Sequence, residues 1–173
     1  MTLDELCLAA IDMSDNVAAN ILIGHLGGPE AVTQFFRSVG DPTSRLDRIE
    51  PKLNDFASGD ERDTTSPAAM SETLRALLLG DVLSPEARGK LAEWMRHGGV
   101  TGALLRAEAE DAWLILDKSG SGSHTRNLVA VIQPEGGAPW IATMFISDTD
   151  AEFEVRNEAL KDLGRAVVAV VRE

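Results

Sequence analysis

The chain is short of cysteine, of basic residues and of long apolar runs, and each shortage removes a class of function. The lone cysteine, Cys7, cannot form an intrachain disulfide. It stands in the run LCLAAI and reads as a small buried hydrophobe, or as half of a bridge to another chain or to an absent piece of this one. Lys and Arg number 16 against 28 Asp and Glu, a net charge of −12. That deficit argues against nucleic-acid binding, which rests on basic patches. The acid excess is more simply a solubility feature. No stretch reaches the ~18 apolar residues of a membrane span, so no membrane insertion is expected. The opening MTLDELCLAAIDMSDN begins with acids and lacks the basic-then-apolar order of a signal peptide. Internal repeats and low-complexity tracts are also missing.

What is present suits one globular domain: 173 residues, 44% of them hydrophobic. Helical spacing marks residues 3–11, then 17–26, which stops at Gly27-Gly28-Pro29, then 30–39, ended by Gly40. Residues 41–66 are polar, irregular and densely charged, yet carry isolated apolar anchors (Leu46, Ile49, Leu53, Phe56). This predicts a packed Ω-type loop at about 45–63 and not a linker. Ser66-Pro67 and Ser84-Pro85 each cap a helix, running to about Leu79 and His97. A short helix is expected around Gly102–Ala107. The pattern then switches to strand-like runs at 112–117, 128–133 and 140–147, with Glu135-Gly136-Gly137 marking a hairpin. Residues 150–172 close the chain as an amphipathic helix, with Phe153, Leu160, Leu163, Val167 and Val170 or Val171 on one side. The expected division is a helical region, 1–111, and a region of antiparallel strands and covering helix, 112–173. Three strands make a thin sheet, and one edge wants another strand.

Three polar clusters could carry chemistry. Ser14-Asp15-Asn16, taken alone, is a helix-capping tripeptide. In Glu50-Pro51-Lys52-Leu53-Asn54, a carboxylate and an amide four apart could orient one water; taken alone, this is loop solvation. Lys118-Ser119-Gly120-Ser121-Gly122 sets a cation and hydroxyls beside glycines that let a ligand approach the backbone, or it is a plain turn.

Together and in this order, S-D-N, E-P-x-L-N and K-S-G resemble the motif set of the class A serine β-lactamases. Further stretches agree: ELC-x-AAI-x-MSDN-x-AAN, GGP, SRLDRIEPKLN, DERDTT-x-P-x-AM and VRN. The resemblance covers essentially the whole chain. It implies an α+β (two-layer α/β) fold of the serine β-lactamase/DD-peptidase type, here incomplete, forming one unfinished domain. It also implies hydrolysis of the β-lactam amide through a serine acyl-enzyme, without a cofactor or metal, in a periplasmic or secreted setting. Ser14 would pass a proton to the β-lactam nitrogen. Asn16 would bind the substrate's side-chain amide. Glu50 would be the base that activates water for deacylation, with Asn54 holding that water. Lys118 and Ser119 would receive the substrate carboxylate beside Gly120, with Arg126 as a second cation. The N–H of Ser121 would be one of two oxyanion donors. Arg48 and Asp63 would pair to close the loop, and Glu50-Pro51 is a candidate cis peptide.

The family's S-x-x-K is missing. Three positions before Lys52, Lys90, Lys118 and Lys161 stand Ile49, Ala87, Ile115 and Glu158, none of them serine. In the family this motif lies upstream of S-D-N, in a segment that also supplies the second oxyanion donor, the first strands, the export signal and, in many members, a disulfide partner for the cysteine matching Cys7. Met1 then resembles an internal methionine. The expected partners are β-lactam antibiotics and that N-terminal portion. Without the nucleophile the chain alone is expected to be inactive. The alternatives are an inert fragment or complementation partner, a penicillin-binding relative (which E-P-x-L-N argues against), and Ser14 itself as nucleophile.

Overall fold

The computed structural model describes all residues, 1–173. Six α-helices and three strands follow in the order α1 (Leu3–Asp12), α2 (Asn16–Leu26), α3 (Pro29–Ser38), α4 (Pro67–Leu74), α5 (Pro85–Arg96), β1 (Leu114–Ser121), β2 (Arg126–Gln133), β3 (Trp140–Ile146) and α6 (Phe153–Val171). Local chemistry sets these limits. Thr2 and Glu5 form a capping box on α1. Ser66 and Ser84 cap α4 and α5, each followed by Pro at the first turn. Gly27, at φ 105°, ends α2 in the left-handed region.

The strands form an antiparallel sheet in the order β1-β2-β3, with Lys118 opposite Val129 and Ser121 opposite Arg126. Side chains alternate across it. Ile115, Leu128, Ile132 and Met144 face α6 and pack with Leu104, Leu105, Leu160 and Val168. Leu116 and Val131 face the helical region and pack with Leu74, Leu78 and Met95. The sheet is therefore held between α6 and the helices, and one end of β1 meets the turn between α1 and α2. That meeting point is where the polar clusters gather.

Several expectations shift. The sheet begins later and β1 runs longer than the apolar pattern suggested. Ladder pairing carries β1 through Ser119 and Gly120 to Ser121, so the K-S-G-S run is strand and the turn comes after it. The helix expected from Ser66 to Leu79 changes at Arg75–Leu79 to wider π turns, and Gly80 N–H donates to Arg75 C=O at 2.8 Å. The short helix around 102–107 is a 3₁₀ turn at Leu105–Glu108. In α6 the buried stripe is Arg156, Leu160, Gly164 and Val168. Of the side expected to be buried, Phe153, Leu163 and Val170 are exposed. Leu160 of that side is fully buried and Val167 and Val171 pack against the core, so the expected side is met in part and the buried stripe is turned toward Arg156 and Gly164. A Cβ on Gly164 would lie 3.2 Å from Leu105 Cα, which shows how closely the 3₁₀ turn approaches the buried stripe.

Two apolar faces stay open. Val17, Ile21 and Leu26 of α2 are 69%, 49% and 64% exposed. A concavity of about 790 Å³ lies between α2, α3 and α5, with Leu26, Phe35 and Trp94 in its wall. On the sheet's outer edge, Trp140 with Leu163 and Val170 of α6 lines a second apolar groove.

Candidate active site

A cleft of about 340 Å³ opens where the α1–α2 turn, the loop between α3 and α4, and the end of β1 converge. Ser14 and Asn16 line it from the turn, Glu50, Leu53 and Asn54 from the loop, and Lys118 to Ser121 from the strand. Residues more than 100 positions apart in sequence thus share one small space. The larger concavity between α2 and α5 is walled mostly by apolar side chains, while the polar side chains of the three motifs line the smaller cleft.

The S-D-N turn divides its labour. Asp15 is the N-cap of α2, its Oδ1 accepting from Ala18 N–H at 2.8 Å. Ser14 takes φ 56°, uncommon for a residue with a Cβ, and this turns its hydroxyl toward β1. Lys118 Nζ donates to Ser14 Oγ at 2.6 Å and to its neighbour Ser119 C=O at 2.5 Å. Capping and site-building are both met by the same tripeptide.

The loop is fixed at three points. Asn20 clamps the backbone of Glu50: its Nδ2 donates to Glu50 C=O, and Glu50 N–H donates to its Oδ1, both at 2.9 Å. Glu50-Pro51 is cis. At the neck, Arg48 Nε donates to Asp63 Oδ2 at 2.5 Å, and Asp63 Oδ1 accepts the N–H groups of Asp47 and Arg48 at 2.7 and 2.9 Å. Further back, the buried Asp41 accepts from Thr43 N–H, Ser44 N–H and Oγ, and Thr73 Oγ1. Within the loop, Asn54 Nδ2 donates to Glu50 Oε2 at 2.5 Å.

Electrostatics couple Glu50 and Lys118 across the cleft. Burial raises the Glu50 carboxyl above its ordinary value, and the Asn54 hydrogen bond and the Lys118 charge only partly offset this. Burial, then the Arg126 charge, lowers Lys118, while Asp117 and Glu50 hold its proton on. The arrangement can hold one anion against Lys118 and the Ser119 hydroxyl. It can also hold a base and a polar amide over one water.

Arg126 takes a place apart from the cleft wall. Its side chain is buried: Nε donates to Asn157 Oδ1 at 3.1 Å, one terminal nitrogen to Gly120 C=O at 3.1 Å, and the guanidinium lies 5.4 Å from the Phe153 ring centre. It backs the strand at Gly120, and its charge reaches the cleft through Lys118. Cys7 is half-buried and unpaired, and burial, then Asp4, raises its thiol.

Sequence reasoning passed over three supporting residues. Asn20 sits four positions after Asn16 on the same helix face, a spacing that could have flagged it. Arg106 ties α5 to β1, donating to Met95 C=O, Ile115 C=O and Asp117 Oδ1, which also accepts from Thr101. Arg156 holds the β1–β2 connection through Gly122 C=O and Thr125 C=O, both at 2.8 Å. These long-range partners leave no local pattern.

A helical region packed on an antiparallel sheet, with a cleft at their seam fed by S-D-N, E-P-x-L-N and K-S-G, is the fold of the class A β-lactamases. Residues 1–171 match the model of the beta-lactamase enzyme family, and the chain belongs to that family. It is 45% identical over 171 residues to β-lactamase CARB-4 of Pseudomonas aeruginosa, covering 98% of this chain and 59% of that protein. It is 48% identical over 167 residues to β-lactamase L2 of Stenotrophomonas maltophilia, covering 95% of this chain and 55% of that one. Among solved structures, an ancestral class A β-lactamase superposes with a TM-score of 0.94 at 48% identity, over 98% of this chain and 66% of that one. The chromosome-encoded β-lactamase of Vibrio parahaemolyticus gives 0.96 at 38% identity, over 100% and 66%. The chain thus spans just over half the length of these curated relatives. No helix is long and apolar enough to cross a membrane.

Proposed function

We propose that this chain supplies the deacylation and carboxylate-binding half of a class A β-lactamase active site, and that the attacking serine comes from an S-x-x-K segment outside these 173 residues. The convergence of Glu50–Asn54 and Lys118–Ser14 on one cleft carries the reading. Glu50 is the base: burial raises its proton affinity toward the working range, and Asn54 fixes one carboxylate oxygen. A water held between them attacks the acyl-enzyme carbonyl. Lys118 and Ser119 receive the substrate carboxylate, with Arg126 adding positive charge from behind Gly120. Ser14, bonded to Lys118, returns a proton to the β-lactam nitrogen as the ring opens. Asn16 binds the substrate's side-chain amide, and Ser121 N–H is one oxyanion donor.

None of the four lysines has a serine three positions before it, so no residue of this chain becomes acylated. The open faces of α2 and of the β3–α6 groove support packing of the S-x-x-K segment there. Joined to that segment, in cis or in trans, these residues complete an active enzyme; without it they are inert. An exported setting, periplasmic or secreted, belongs to the completed enzyme.

The test is hydrolysis of nitrocefin. The purified chain is expected to show none. Mixed with, or fused to, an S-x-x-K segment of a relative, it is expected to hydrolyse the substrate. Glu50→Ala in that assembly is expected to stall it as an acyl-enzyme visible by mass spectrometry. Turnover by the chain alone, or an unstalled Glu50→Ala assembly, overturns the proposal.

A further inference from the structure

Phe56 and His124 face each other across the gap between the loop and the β1–β2 connection, with ring centres 5.3 Å apart and planes inclined by 42°. His124 Nδ1 lies 3.2 Å from Thr149 C=O and 3.2 Å from Asp150 Oδ1, in the segment leading from β3 to α6. Both neighbours are acceptors, so Nδ1 carries the proton and donates. One imidazole therefore joins three segments: the loop by its ring, its own connection by its backbone, and the β3–α6 segment by its nitrogen.

The other restraints that tie the loop to the rest of the protein lie at its ends; within the loop, Arg48 also donates to Asp55 C=O at 3.1 Å. Asn20 holds Glu50, and Arg48 with Asp63 closes the neck. No hydrogen bond joins residues 51–62 to the strands. On the strand side Gly122 only limits approach, since a Cβ there would lie 2.9 Å from Asn54 C=O. Behind the loop is a second cavity of about 340 Å³, which shares Asn54 and Gly120 with the cleft wall and has Phe56, Thr125, Asn127 and Phe145 in its own. Asn127 Oδ1 is buried there without a partner. The middle of the loop thus has a stop in front, a hollow behind, and neither pulls it toward the sheet.

We infer that the Phe56–His124 pair is the strap that holds the middle of the loop onto the sheet, making both residues positioning residues for Asn54 and Glu50. Phe56 stands two residues after Asn54, whose side chain holds Glu50 Oε2. Movement of Phe56 is therefore felt at the carboxylate within one short turn, Lys52–Asn54. The functional weight of the strap rests on Glu50 as the deacylation base, but the strap itself is readable without any turnover.

Amide hydrogen exchange on the 173-residue chain tests it, comparing the parent with Phe56→Ala, His124→Ala, the double variant and His124→Phe. The reporters are the N–H groups of Leu53, Asn54 and Asp55, which donate to Ile49, Pro51 and Lys52 C=O. Loss of an aromatic pair is expected to speed their exchange about tenfold in either alanine variant, with α6 amides unchanged. The double variant is expected to be no faster than either single one, because each removes the same contact. His124→Phe keeps a ring and is expected to stay near the parent. Unchanged loop exchange in either single variant overturns the strap. So does additive acceleration in the double variant, or a His124→Phe chain as fast as His124→Ala. Because exchange involves no substrate, a failed role for Glu50 leaves this result standing, and the reverse also holds.

Discussion

Asp63→Asn is the sharpest probe of how the loop is closed. Asp63 keeps 3% of its side-chain exposure and Arg48 keeps 18%, so the pair is largely withdrawn from water. Asn preserves the shape and tolerates the φ of 57° at this position. Its Oδ1 can still accept from the N–H groups of Asp47 and Arg48. What changes is Oδ2, which becomes an amide donor pointing at the Arg48 Nε–H that now donates to it. The charge-assisted bond is lost, and a guanidinium is left with only the Asp55 C=O at 3.1 Å. Breaking one side of a buried pair costs about 3–5 kcal/mol. The surviving backbone bonds and the water still reaching Arg48 place this case at the lower end, about 3 kcal/mol, or roughly a hundredfold more open loop. Limited trypsin digestion reads that population when opening is fast relative to cleavage, through the Lys52–Leu53 and Arg62–Asp63 bonds. The expected result is about a hundredfold faster loop nicking. A rate within about threefold of the parent, with α6 equally resistant in both, would refute the account of the ion pair as the closing device.

Other consequences are as direct. Asn20→Ala removes both bonds to the Glu50 backbone and is expected to release the loop start by about 2 kcal/mol, seen as faster exchange at Leu53 and a lower denaturation midpoint. Leu105→Ala empties a fully buried position in the core between α6 and the sheet, and is expected to cost about 3 kcal/mol in urea unfolding. Asp41→Asn is expected to destabilise near neutral pH. Burial opposes the Asp41 charge, but bonds from Ser44, Thr43 and Thr73 outweigh it and hold the group below its ordinary value, so its stabilisation exists above the unfolded carboxyl range and fades as pH falls. The gap between parent and variant should therefore close in acid; a gap independent of pH would count against it. In a completed enzyme, Arg126→Ala is expected to weaken β-lactam binding, and unchanged affinity would remove Arg126 from the carboxylate pocket.

Much of this was legible in the sequence because the decisive signals are local. Pro after Ser at 66–67 and 84–85, glycine after Leu26, and short apolar, β-branched or aromatic runs between turns placed most elements within a few residues. The three motifs pointed to the cleft residues because each motif lies on one continuous turn, loop or strand. What escaped was set by partners distant in sequence. Nothing near Gly120 says that strand pairing with Asn127 extends β1 past Lys118. Nothing near Leu163 says that Gly164, not Leu163, meets the Leu105 turn. The resemblance assigned Arg126 to the carboxylate pocket. Its engagement with Asn157 and Phe153 depends on where α6 lands.

The two sides of the cleft are also bound to each other by charge. Burial drives Glu50 toward its neutral form and Lys118 toward its own, yet each holds the other partly ionised across the same space. The base form of Glu50 appears as pH rises through its raised value, and the cationic form of Lys118 is lost as pH rises through its lowered one. The useful window is therefore narrower at both ends than for the same groups in water. Removing the Glu50 charge as Glu50→Gln takes away a support for the Lys118 cation and should lower its titration further, an effect measurable by NMR of the lysine. Lys118 would then hold an anion less well at alkaline pH. A carboxylate and an ammonium placed this close are one electrostatic unit, and a change in either is read in the other.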